Sequence, residues 1–251
     1  MSMLIAAVQM RLSADPRANE REIIRWARLA AEQGARVVNF PEAALTGYLF
    51  DGFAEVDLGQ VEAALERLHQ AARELDINLI LGAPQRPAEQ GPLYNSAVVL
   101  MSDGRRLAYH KMNLVGIERA WFATGDEPLC FDLEGQKMGV MICRDQSHPA
   151  LAAALADQGA RVIFLCCAHY YHLAEARLKQ FKNLALPVAR AVENQVYLCK
   201  ANAVGWNQGL INLGGSVIVD PNGIVARQAG ENRPELLLCD ADLAAPPLWQ
   251  V

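Results

Sequence analysis

Two rhythms of hydrophobic residues alternate along the chain. Leu4–Met10 is apolar except at Gln9 and reads as a first strand. Ile23, Trp26, Ala27 and Ala30 then recur at helical spacing, which predicts a helix over Ala18–Gln33 that stops at Gly34. Arg36–Phe40 is a short apolar strand broken by Pro41–Glu42. Val61, Leu65, Leu68, Ala72 and Leu75 predict a second helix, followed by a strand over Ile77–Leu81. Two hairpins follow. Tyr94–Met101 and Arg106–Lys111 flank a turn containing Asp103-Gly104, and Leu129–Leu133 and Lys137–Cys143 flank Glu134-Gly135-Gln136. Pro149–Asp157 is a short alanine-rich helix and Arg161–Ala168 a strand. A long helix is expected over Ala174–Glu193, kinked or broken at Pro187. Val196–Ala201, Gly215–Val219, Ile224–Gln228 and Leu236–Cys239 complete the strands.

This order of strands and helices, with antiparallel hairpins inserted, argues for an α/β fold of mixed sheets with helices on the outer faces. The strands are too many for one comfortable open sheet, so two packed sheets are expected. Composition agrees with extensive burial. The chain has 251 residues, 52% hydrophobic and 20% charged, and one domain over residues 1–251 is expected. Net charge is −5 without a basic stripe, which disfavours nucleic acid and anionic membrane as partners. Residues 1–13 lack a basic segment ahead of the apolar run, and no apolar stretch reaches the roughly 20 residues needed to span a bilayer. The six cysteines form no C-x-x-C pair and no zinc-like spacing with histidine. A cytoplasmic protein with reduced thiols is expected. Cys130, Cys166, Cys167, Cys199 and Cys239 are read as small core hydrophobes.

Cys143 is different, because the apolar run Met138–Ile142 ends there and Arg144-Asp145 turns the chain polar at once. Glu42 and Lys111 also stand where apolar strands run out. Strand ends in α/β folds are where reacting groups collect. A thiol is only a few per cent thiolate at neutral pH, so a nearby carboxylate is needed to take its proton. An ammonium beside it can stabilise an oxyanion. Taken singly, each residue could equally be a turn charge, a solvated strand cap or a core thiol. Their common context makes the case.

The neighbourhoods carry a resemblance. Phe40–Tyr48 (FPEAALTGY), Tyr109–Leu114 (YHKMNL), Glu118–Gly125 (ERAWFATG), Gly139–Pro149 (GVMICRDQSHP) and Ala189–Asn202 (ARAVENQVYLCKAN) resemble, in order, the nitrilase superfamily of carbon–nitrogen hydrolases. The resemblance implies a four-layer αββα sandwich that associates as a homodimer or higher homo-oligomer. It implies catalytic roles for Glu42, Lys111 and Cys143, with Glu118 as a second glutamate. Tyr48 is expected near the pocket, and the Arg144 N–H in the oxyanion hole. No metal or organic cofactor is expected. The implied activity is hydrolysis of a small amide or carbamoyl compound through a thioester.

The chain departs from the family just after the nucleophile. Asp145 and Pro149 are kept, but Arg144 replaces an aromatic, Ser147 an arginine and His148 a phenylalanine. The Asp145–Gln146 pair is similar to the carbamoylputrescine amidase branch, and Arg144-Asp145 does not fit the Trp-Glu of true nitrilases. Arg144, His148 and His169 are candidate substrate-binding residues; His148 equally suits a helix start. The short tail after Asp242 predicts no long arm across a dimer. The competing readings are a nitrile hydrolase, an isochorismatase-like hydrolase with an essential Asp, and a non-catalytic small-molecule-binding protein on the same fold.

Overall fold

The computed structural model describes residues 2–49, 52–53 and 56–244. The expectation for the tail falls on residues 245–251, which lie outside the described residues. In chain order the strands are β1 (Ser2–Gln9), β2 (Val37–Asn39), β3 (Asn78–Gln85), β4 (Tyr94–Leu100), β5 (Arg106–His110), β6 (Leu129–Leu133) and β7 (Gln136–Ile142). They continue with β8 (Val162–Cys167), β9 (Tyr197–Asn202), β10 (Val204–Asn207), β11 (Leu210–Leu213), β12 (Val217–Val219), β13 (Val225–Gln228) and β14 (Glu235–Asp242). The helices are α1 (Pro16–Glu32), α2 (Leu58–Glu74), α3 (Pro149–Asp157) and α4 (Leu173–Asn194).

Both long N-terminal helices begin earlier than the hydrophobic period predicts, and the caps explain why. Asp15 accepts from the Arg17 N–H at 3.0 Å ahead of Pro16, and Asp57 accepts from the Gln60 N–H at 3.1 Å. From there each helix buries one stripe. Ile23, Trp26, Ala27 and Ala30 of α1 join Leu65 and Leu68 of α2 against Val8, Val38 and Leu79 of the first sheet. Fully burying one such large side chain is worth roughly 1.5–3 kcal/mol.

The first sheet runs β14-β1-β2-β3-β4-β5 and the second β13-β12-β9-β8-β7-β6. Each has three parallel strands, β1-β2-β3 or β7-β8-β9, with one antiparallel strand on one side and two on the other. Ile5, Val37 and Val99 of the first sheet share a buried core with Val140, Ile142 and Leu198 of the second. A polar tie crosses this apolar interface. Asn39 donates to the carbonyls of Leu165 (3.1 Å) and Cys199 (2.9 Å), and its Oδ1 accepts from the Cys166 thiol (3.2 Å). Helices α3 and α4 cover the second sheet, with Leu155 against Gly139 and Lys200 reaching the Asn183 carbonyl. The layers are therefore helix, sheet, sheet, helix, as expected.

Two local details go beyond the sequence pattern. Helix α4 includes Pro187 as expected and is not broken there. Proline removes the N–H that would serve the carbonyl of Asn183, four residues earlier. That carbonyl instead accepts from the buried Lys200 ammonium at 2.8 Å. Between the expected strands Val196–Ala201 and Gly215–Val219, where no element is expected, the small antiparallel hairpin β10–β11 forms. Positive φ at Gln208 and Gly209 makes its turn.

Candidate active site

The site lies where the sheets end. Strand β5 runs parallel to β2 and β3 in direction, because two antiparallel pairings intervene between β3 and β5. The chain therefore leaves β2 and β5 on the same side, and delivers Glu42 and Lys111 there. Glu42 follows the turn at Pro41, and Ala43 takes φ 51°. The turn lies so close to β3 that a Cβ at Gly82 would stand 2.1 Å from the Ala43 nitrogen. Only glycine fits. Gly125, which closes the Glu118–Gly125 segment, meets the same constraint, since a Cβ there would lie 2.1 Å from the His110 carbonyl oxygen.

Lys111, Glu42 and Glu118 are all buried. The Lys111 ammonium donates to Glu42 Oε1 and to Glu118 Oε1, both at 2.7 Å. The Asn95 side-chain amide donates to the same two oxygens, at 2.8 and 2.9 Å. The remaining oxygens are held by backbone. Ala168 N–H donates to Glu42 Oε2 at 3.1 Å, and Val115 N–H donates to Glu118 Oε2 at 2.7 Å. Tyr48 donates its hydroxyl to Glu118 Oε1 at 2.9 Å.

Two carboxylates around one ammonium leave a net negative charge in a dry place, and the site divides it unequally. Burial, with the Cys143 sulfur nearby, pushes Glu42 well above the usual carboxylate range. Burial works the same way on Glu118, but Lys111, Val115 N–H and Tyr48 outweigh it and hold Glu118 low. For Lys111, burial opposes the charge, and Glu42, Cys143 and Glu118 overcome it, so the lysine stays protonated.

Cys143 follows β7 directly and has φ 45°, an unfavourable conformation for a residue with a Cβ. Asp145 stabilises the bend. Its Oδ2 accepts from the Ile142 N–H (2.9 Å) and the Tyr109 hydroxyl (2.8 Å), and its Oδ1 from the Asn113 N–H (3.0 Å) and side-chain amide (2.9 Å). The Cys143 sulfur lies within 4.8 Å of that of Cys167. The neighbouring Cys167 thiol and burial raise the Cys143 pKa well above that of a free thiol, and Lys111 pulls in the other direction. The sulfur is thus a thiol at rest, beside a carboxylate of raised proton affinity and a fixed cation.

Residues 4–249 match the carbon–nitrogen hydrolase family. The chain belongs to this family, the nitrilase superfamily. A nitrilase from Pyrococcus abyssi is 34% identical over 245 residues, covering 95% of this chain and 89% of that protein. An omega-amidase from Homo sapiens is 30% identical over 264 residues, covering 96% and 89%. A solved structure of a variant amidase from Nesterenkonia sp. AN1 in complex with butyramide superposes with a TM-score of 0.84 at 32% identity, covering 95% of this chain and 90% of that one. The chain is accordingly a carbon–nitrogen hydrolase that depends on a cysteine nucleophile.

The superfamily member's other candidate residues fall in two places. Tyr48 touches Glu118, and a ring nitrogen of His169 lies within 4.8 Å of the sulfurs of Cys143 and Cys167. His169 also lines a cavity of about 70 Å³ with Tyr171 and Lys200. Burial, followed by the nearby charges of Lys200, Lys182, Lys111 and Lys179, holds its imidazole well below the usual range and therefore neutral. Arg144 and His148 are exposed and line a separate recess of about 200 Å³ with Met112, Asn113 and Arg119. None of Glu42, Lys111, Glu118 or Cys143 lines that recess.

Sequence reasoning missed Asn95, which joins the two glutamates. Cys166, Cys167 and Cys199 are buried in the core as expected, and the Cys167 sulfur also lies within 4.8 Å of that of Cys143. Strand alternation between Cys166 and Cys167 was the available signal. Cys143, Cys167 and His169 are also the group of described residues whose donor atoms lie close enough together to hold a metal ion. Two thiols and an imidazole suit a soft cation.

Proposed function

We propose that this hydrolase cleaves the C–N bond of a small linear amide or carbamoyl compound through a thioester on Cys143, releasing ammonia or an amine. One observation carries the reading. A strained, rigidly held thiol stands beside a lysine clamped between two glutamates, one with raised and one with lowered proton affinity.

Glu42 takes the Cys143 proton as sulfur attacks the carbonyl carbon. Its raised pKa suits this task near neutral pH. Lys111 and the Arg144 N–H hold the tetrahedral oxyanion; losing one such donor typically costs about 2.7–4 kcal/mol of barrier. Protonated Glu42 then delivers its proton to the departing nitrogen. Water, deprotonated by Glu42, attacks the thioester and frees the acid. Glu118 keeps Lys111 charged and aimed, and Tyr48 orients Glu118. His169, with a ring nitrogen within 4.8 Å of the Cys143 sulfur, would border the bound substrate. The butyramide held by the Nesterenkonia relative supports a short, uncharged acyl chain as one acceptable substrate.

The departure at Arg144-Asp145 from the nitrilase pattern favours amides over nitriles. Ammonia release from short aliphatic amides, carbamoyl compounds and the matching nitriles tests this. Amide or carbamoyl turnover is expected; nitrile turnover alone would reverse the assignment. Activity surviving in Glu42→Gln would favour the isochorismatase-like chemistry instead.

A homo-oligomer is part of the same reading. Leu178 and Phe181 on α4 are more than 80% exposed, an apolar face that a second copy would cover.

A further inference from the structure

We propose that Cys167 is the resolving partner of Cys143 in a reversible oxidation by hydroperoxides. The proposal takes Cys143 as the nucleophile from the functional reading above and adds a second role for the same sulfur.

Register sets up the pair. In the parallel pairing of β7 with β8, Ile142 stands opposite Cys166. Cys143 is the first residue after β7, and Cys167 is the last residue of β8. Strand alternation turns Cys167 away from the sheet interface that Cys166 occupies, where Cys166 bonds to Asn39. The sulfurs of Cys143 and Cys167 lie within 4.8 Å of each other. Cys143 is the more exposed residue of the two, half-buried where Cys167 is buried, so a small oxidant would reach it by the route its amide substrate takes.

The chemistry uses parts already in place. Glu42 takes the Cys143 proton, as it would for a carbonyl. The sulfur attacks one peroxide oxygen, the O–O bond breaks, and the alcohol or water leaves with a proton. Sulfur is oxidised by two electrons to the sulfenic acid and the peroxide is reduced. The Cys167 thiol attacks the sulfenic sulfur, and its proton leaves with the departing hydroxide. The S–S bond forms and the S–O bond breaks, with release of water. In sum, two thiols and one hydroperoxide yield a disulfide, an alcohol and water. A small dithiol reverses it by exchange. The disulfide removes the nucleophile and bars its irreversible oxidation.

The test treats the full-length protein with hydrogen peroxide and follows intact mass, with peptide mapping. A loss of about 2 Da, mapped to a Cys143–Cys167 bridge and reversed by dithiothreitol together with activity, is expected. Cys167→Ala should instead gain about 32 Da at Cys143, unrecovered by dithiothreitol. Cys166→Ala should still form the bridge. A gain of about 32 Da in the wild type without a bridge, or a bridge between other cysteines, would overturn the proposal. The mass readout needs no substrate. A bridge in a protein that turns over no amide would sink the functional reading alone, and amide turnover without a bridge would sink this one alone.

Discussion

One lysine touches Glu42 and Glu118 at the same distance, yet their proton affinities move apart. The difference comes from what else each carboxylate meets. Glu42 is the more deeply buried and faces the Cys143 sulfur, with only the Ala168 N–H on its second oxygen, whereas Glu118 has both Val115 N–H and Tyr48. Glu42 works as a base only when ionised. Its pKa is raised, so activity should rise with pH through that raised value and fall away at pH where an ordinary glutamate is still ionised. The acid limb of kcat/KM should therefore lie well above 4.5, the ordinary glutamate value, and it reports the Glu42–Cys143 pair rather than one residue. A limb at the ordinary value would contradict this electrostatic account. Asn95→Leu removes a donor shared by both carboxylates. Leaving buried acceptors unpaired costs about 1–3 kcal/mol, so a roughly ten- to hundredfold fall in kcat/KM is expected. The acid limb should also move to higher pH, because the lost donor favoured the charged form. Steady-state pH profiles of the variant and wild type check both effects. The reacting residues were legible because each sits where an apolar strand stops. Asn95 was not, since an asparagine near a strand start carries no mark of what it faces across the fold.

At the scale of elements, close approaches and missing donors decide the details. Gly82→Ala would drive a Cβ into the backbone of Glu42 and Ala43. The segment carrying Glu42 would have to shift, with a loss of about 1–3 kcal/mol in urea unfolding and a larger loss in kcat than stability alone explains. Wild-type stability and activity in this variant would show that the turn is not fixed by that contact. Pro187 and Lys200 form a second coupled pair. Lys200→Met leaves the Asn183 carbonyl unserved, at a cost of about 1–3 kcal/mol. In a Pro187→Ala background a helix N–H can serve that carbonyl, so the cost of Lys200→Met should shrink. A double-mutant cycle by chemical denaturation measures the coupling, and strict additivity would refute it. Period and turn residues revealed most strands and α1 to α4 among the described residues. They placed Pro187 inside the long helix but could not show what serves the Asn183 carbonyl there, because that donor comes from β9, a different layer.

Across the whole molecule, both sheets repeat one succession of parallel and antiparallel strands, a likeness invisible along the chain because different residues fill each. Packing the sheets face to face brings the ends of β2, β5 and β7 to one place, which is how residues 42, 111 and 143 become neighbours. The exposed α4 face bears on assembly. Phe181→Glu should shift the protein toward monomer in sedimentation velocity, and a wild-type monomer would remove that face as an interface. The central claim is covalent catalysis by Cys143, and intact-mass analysis during turnover of a short amide tests it most directly. The wild type should carry an adduct equal to the substrate less ammonia, on the peptide containing Cys143, and Cys143→Ala should show neither adduct nor ammonia release. Full activity in Cys143→Ala would contradict the account.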